Sequence, residues 1–194
     1  MLLQTMNLIR QSLLLILPVA LLAGGCKKDE QTVTPTEDNE VITTATLTLT
    51  SKTTPTESVS ATIENLNNNV DLSRATLNLK ANTTYTGVVL LLNKTVTPAL
   101  DATAEIKEKA NEHLFVYTYT AATGPATAVV VTITDKDTNP APGPYPLGLT
   151  TDIKTGASGT GKLNLILRHQ PNVKNGQPTP GTTDLDVNFN VVVN

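Results

Sequence analysis

Asp184-Leu185-Asp186-Val187-Asn188-Phe189-Asn190-Val191-Val192-Val193 decides the fold class. Leu185, Val187, Phe189, Val191 and Val193 recur at every second position, with Asp184, Asp186, Asn188 and Asn190 between them. Successive side chains of an extended strand point to opposite faces, so this period sets one apolar row against a core and one polar row in water. A helix would instead need apolar residues three and four apart. On this reading Asp184 and Asp186 form a solvated pair on the wet face.

The same period runs through the rest of the chain. Ala45, Leu47 and Leu49 alternate with Thr44, Thr46, Thr48 and Thr50. Threonine is β-branched and polar, which suits the solvent face of a strand. Similar segments lie at 58–63, 75–80, 84–92, 113–120, 127–134, 145–151 and 162–169, separated by clusters of Gly, Pro, Asn and Asp. Short strands divided by such turns predict an all-β domain, an antiparallel two-sheet sandwich of Ig-like type with eight or nine strands. One segment departs from the pattern. Residues 101–111 are rich in helix formers and begin with Asp101, a residue able to cap a helix, so a short helix is expected with Ala102 and Ile106 on one side against the end of the sandwich.

The N-terminus reads differently. Arg10 precedes an apolar run at 13–22 that is shorter than the roughly 20 residues of a membrane span, and the run closes in Leu21-Leu22-Ala23-Gly24-Gly25-Cys26. Small residues before a single cysteine form the processing site of a bacterial lipoprotein. This divides the chain into a signal peptide at 1–25, a lipidated Cys26 with a flexible polar tether at 26–40, and a sandwich domain at 41–194. Each buried methylene contributes about 0.8 kcal/mol, so two or three acyl chains on Cys26 would anchor the protein to the membrane without a spanning helix.

Composition excludes several functions. A formal net charge of −3 supplies no basic footprint for nucleic acid. Cys26 is the only cysteine, so its lipidation leaves no disulfide, thiolate ligand or cysteine nucleophile. Aromatic residues make up 3% and there is no Trp, which weighs against a carbohydrate-stacking platform.

Four motifs could carry chemistry. Gly156-Ala157-Ser158-Gly159-Thr160-Gly161-Lys162 approaches a phosphate loop, but Leu163 replaces the hydroxyl residue that would hold magnesium and the following residues alternate like a strand. A hairpin loop is expected, with no nucleotide. Ser158 likewise lacks the strand-to-helix turn of a nucleophile elbow. Asp135-Lys136-Asp137-Thr138-Asn139 spaces oxygen side chains as calcium loops do, although Pro140 stands where Gly belongs, so a polar turn is the plainer expectation.

The histidines hold the most interest. His113 shares a face with Phe115, Tyr117 and Tyr119, and His169 with Leu163, Leu165 and Leu167, so both point coreward at strand ends. Neutral imidazoles there can ligate a transition metal, with Glu112, Asp135 or Asp137 completing a mixed site. A hydrogen-bonded structural role is the competing expectation.

Cys26-Lys27-Lys28-Asp29-Glu30 resembles the export signal that sends lipoproteins of Bacteroidetes to the outer face of the outer membrane, with Lys28, Asp29 and Glu30 as its charged residues. Val41-Ile42-Thr43-Thr44, Glu112-His113, Pro146-Leu147-Gly148-Leu149, Leu167-Arg168-His169-Gln170-Pro171 and Thr183-Asp184-Leu185-Asp186-Val187-Asn188-Phe189 together resemble a group of uncharacterised Bacteroidetes surface lipoproteins. Members are sometimes labelled as having a type 1 periplasmic binding fold, which implies alternating strands and helices that this chain does not present. An aspartate-rich stretch often follows their first strand; here Glu64-Asn65-Leu66-Asn67-Asn68-Asn69 is mostly amide. The resemblance supplies no ligand, cofactor or catalytic residue.

The expected protein is a lipid-anchored outer-membrane surface protein with a non-catalytic binding or accessory sandwich, serving an outer-membrane receptor or other surface partner. Two other classes compete. One is a transition-metal-capture lipoprotein using His113 and His169; the other is a secreted hydrolase with an unrecognised site. A periplasm-facing anchor is the alternative location.

Overall fold

The computed structural model describes residues 41–194. The expected signal peptide at 1–25, Cys26, the charged residues Lys28, Asp29 and Glu30, and the expected tether to residue 40 lie outside the described residues. Among the described residues no helix is long and apolar enough to cross a membrane.

The domain is an all-β sandwich with a short helix. Its strands are β1 (Thr44–Ser51), β2 (Ser58–Glu64), β3 (Asp71–Arg74), β4 (Thr76–Leu79), β5 (Thr84–Asn93), β6 (Leu100–Asp101), β7 (His113–Thr123), β8 (Val129–Ile133), β9 (Thr150–Thr155), β10 (Gly159–His169) and β11 (Thr182–Val193). Helix α1 (Ala102–Glu108) and a 3-10 turn (Ala110–Glu112) lead from β6 into β7. One sheet has the order β3-β2-β1-β5-β9-β8, with β6 paired to the end of β5; the other has the order β4-β11-β10-β7.

Alternation builds both layers as the periodicity implies. Leu185, Val187, Phe189, Val191 and Val193 of β11 are buried, and they meet Ala45, Leu47, Leu49, Leu91 and Ile153 of the facing sheet in one core. The threonine-rich face of β1 looks outward, where Thr46, Thr48 and Thr50 pair their hydroxyls with Thr62, Ser60 and Ser58 of β2 at 3.0, 2.9 and 3.0 Å. These cross-strand hydroxyl pairs hold β2 on β1 in register. Asp101 caps α1 by accepting from the N–H groups of Thr103 and Ala104, and Ala102 and Ile106 are buried, as their spacing requires.

Three expectations are corrected. The described residues form eleven strands where eight or nine are expected, because β3 and β6 are too short to show a period. Not every pair is antiparallel: β4 runs parallel to β11, with Thr76 opposite Asn190 and Leu79 opposite Val193. Between β3 and β4 the chain crosses from one sheet to the other within a single residue, the buried Ala75, which leaves β4 pointing the same way as β11. The third concerns 145–151, where the strand begins only at Thr150. There the Asp135 carboxylate takes the N–H groups of Gly148, Leu149 and Thr150 at 2.7, 3.0 and 3.2 Å. A side chain thus replaces the neighbouring strand as acceptor, and Gly148 turns the backbone at φ +97°.

Candidate functional site

Both histidines arrive at one end of the sandwich because β7 starts there and β10 finishes there. His113 and His169 are direct partners across these antiparallel strands. Their rings stack with centroids 4.9 Å apart and planes 11° from parallel. The inference from alternation, that each imidazole points coreward, is met: His113 is fully buried and His169 is 6% exposed.

Three of the four ring nitrogens have a defined neighbour. His113 Nδ1 lies 3.0 Å from the carbonyl oxygen of Lys109, just past the end of α1. A carbonyl can only accept, so Nδ1 carries the proton and Nε2 keeps its lone pair. That Nε2 faces Asp184 Oδ2 at 3.9 Å, while His169 Nε2 faces Glu112 Oε2 at 3.8 Å. Burial holds the His113 pKa below its usual value, an effect that the hydrogen bond to Lys109 only partly offsets.

Asp184 is where the sequence reading fails. Alternation along β11 assigns it to the wet face, yet its side chain has no exposed surface. The pairing explains the reversal. Leu167 sits opposite Leu185, but the next residue, Arg168, sits opposite Thr183, so Asp184 is the extra residue of a β-bulge. Bulges re-aim side chains, and this one turns the carboxylate inward onto His113. Among the described residues neither Asp184 oxygen has a hydrogen-bond partner, nor does His113 Nε2. Burial raises the Asp184 pKa, against the lowering influence of His169 and then Arg168.

Asp135 and Asp137 lie nearby but are occupied. Asp135 binds the three backbone groups of the 148–150 turn. Asp137 accepts from the backbone N–H of Tyr145 at 2.7 Å and from Asn139, and it pairs with Lys174 Nζ at 2.9 Å with both side chains buried. Lys174 also donates to the Ala110 carbonyl. Both aspartates therefore fasten loop backbone in place, which is the polar-turn expectation. The site brings His113, His169 and Glu112 together and adds Asp184, whereas Asp135 and Asp137 do not join them. Among the described residues, no group of three or more His, Cys, Asp or Glu side chains stands ready to hold a metal ion.

A polar cleft of about 300 Å³ opens beside this cluster, lined by Asn111, Glu112, Asn139, Asn172 and Lys174. Glu112, with its side chain 42% exposed, belongs to both the cleft and the histidine cluster. The loop from β10 to β11 walls the end. Gln170, fully buried, donates through Nε2 to the carbonyls of Gln177 and Pro180, and its backbone N–H donates to the Glu112 carbonyl at 2.6 Å. Arg168 adds bonds to the Gly181 carbonyl and the Thr183 hydroxyl. Sequence reasoning gave no role to Gln170 and Lys174, since a lone polar residue in a loop carries no period, nor to Arg168, whose partners lie in the loop beyond its own strand.

The remaining motifs fall elsewhere. Gly156, Ala157 and Ser158 connect β9 to β10, and Lys162 lies exposed on a strand, so no helix follows the glycines. Ser158 precedes the first residue of β10 and His169 is its last, which separates them by about 36 Å of extended chain. Neither histidine can serve that serine as a base. No protein-family model, no curated protein and no solved structure matches the chain.

Proposed function

We propose that this protein is a lipid-anchored component of the outer-membrane surface whose β-sandwich binds a partner and carries out no catalysis of its own. The observation that carries the reading is Leu21-Leu22-Ala23-Gly24-Gly25-Cys26, followed at once by Lys27-Lys28-Asp29-Glu30. A single acylated cysteine on a polar tether fixes a domain to a bilayer while leaving it in water. The sandwich supplies a rigid frame, and its longer connections, 134–149 and 170–181, gather at the end that holds the polar cleft. Loops on a fixed scaffold are where recognition concentrates. The distance between Ser158 and the histidines favours binding over a serine hydrolase.

The test is made in intact cells. Wild-type protein should fractionate with the outer membrane and be cut by protease added outside. Cys26→Ser should release it from the membrane, and joint replacement of Lys28, Asp29 and Glu30 by Ala should keep it attached but shield it from the protease. Membrane attachment of Cys26→Ser equal to wild type would sink the anchor, and full protection of wild-type protein would sink surface display.

A further inference from the structure

His113 Nε2 and the Asp184 carboxylate face each other 3.9 Å apart inside the protein, and among the described residues neither has a hydrogen-bond partner. The Lys109 carbonyl has already claimed the one proton of a neutral His113. The Nε2 lone pair and the Asp184 carboxyl group therefore face each other at a separation beyond the roughly 3.2 Å of a hydrogen bond. Buried polar atoms are ordinarily satisfied, and an orphaned pair of this kind lacks a positively charged partner. The bulge in β11 is the only reason Asp184 is there at all.

We propose that His113, Asp184, His169 and Glu112 bind a borderline divalent transition-metal ion such as Zn²⁺ or Cu²⁺, with His113 and Asp184 as its buried inner ligands. Zinc bonds to imidazole nitrogen and carboxylate oxygen are about 2.0–2.2 Å long, so at a tetrahedral angle the two donors stand about 3.4 Å apart. The inner pair at 3.9 Å lies within about half an ångström of that spacing. His169 and Glu112 form the outer pair at 3.8 Å, and Glu112 reaches solvent. Four ligands round one ion require the outer pair to turn inward, which is why the side chains as they stand form two pairs and not a closed shell. Glu112, half-exposed and lining the cleft, opens a path from solvent, and the buried His169 completes the set by turning out of its stack on His113. The Lys109 carbonyl fixes the His113 tautomer as outer partners of metal-bound histidines do. Two nitrogens with two carboxylates suit zinc, copper or nickel, and do not suit calcium or magnesium, which take oxygen ligands throughout.

Full-length mature protein in detergent, without a histidine tag and stripped with chelator, is titrated with zinc sulfate and with copper sulfate by calorimetry. One ion per chain is expected to bind at micromolar concentration or below, with calcium chloride failing to compete. Asp184→Asn should abolish binding. Glu112→Gln should weaken it about 10-fold. Copper-loaded protein should show coupling to two imidazole nitrogens by electron paramagnetic resonance, and to one in His169→Gln. If Asp184→Asn does not fold by circular dichroism, Glu112→Gln and His169→Gln at the open side carry the same decision. The proposal is overturned if neither metal binds below millimolar concentration, or if these variants bind as wild type does. Metal binding is read on purified protein, so its failure is distinguishable from failure of surface anchoring, which is read in cells.

Discussion

A carboxylate with no exposed surface must be compensated from within, and Asp137 is compensated by Lys174, Asn139 and the Tyr145 backbone. Burial raises its pKa, but these hydrogen bonds outweigh it and leave the group below its ordinary value. A lowered folded pKa means that stability is fully present above the ordinary carboxylate range and is lost as pH falls through the folded value. Asp137→Asn would leave Lys174 buried and unpaired, costing roughly 3–5 kcal/mol at neutral pH. Urea midpoints at pH 7 and again at about pH 3 should show the gap to wild type narrowing in acid, since protonation removes the same charge; a gap of constant size would refute the assignment. Gly181 sets a second expectation. It holds φ +77°, and a Cβ there would stand 1.9 Å from the His169 carbonyl oxygen. Gly181→Ala should destabilise by more than about 2 kcal/mol and shift the His169 resonances. At this scale the sequence disclosed the two histidines, whose face follows from alternation, but misplaced Asp184. One inserted residue in the ladder reverses every inference from parity, and no composition marks where a bulge falls.

Helix α1 was legible because its signals are local. Asp101 caps it, Ala102 and Ile106 sit on one side, and the expected span of 101–111 resolves into the helix plus a 3-10 turn. Asp101→Ala should cost about 1 kcal/mol through the two backbone N–H groups it abandons. Ile106→Ala removes a side chain with no exposed surface and should cost about 2–5 kcal/mol. Chemical denaturation of the two variants orders them; a larger loss in Asp101→Ala would mean that the helix is held by its cap and not by its packing. The strands divide in the same way. β11 carries five apolar residues in strict alternation and could be read at once. The stretch before β9 alternates too, yet its backbone is claimed by Asp135, a partner ten residues and more upstream that periodicity cannot register.

For the whole molecule, two packed layers follow from many segments sharing one period, while their order does not. Strand β11 lies between β4 and β10, and its last residue is clasped through Asn194, whose N–H donates to the Leu79 carbonyl and whose carbonyl accepts from Ala81. The parallel pairing joins residues more than a hundred positions apart, beyond the reach of any local signal. Deleting residues 191–194 strips Val191 and Val193 from the core and leaves β4 without its partner. The truncated chain should be cleaved rapidly by dilute protease under conditions that spare the full-length domain; equal resistance would show that β4 and β11 add little to cooperativity.

That interior strand ties the two layers into one event. Without its 12 residues β4 and β10 have no common neighbour, and the opposite layer loses the apolar row it packs against. Neither layer is finished without the other, so the sandwich closes as a unit and opens as one.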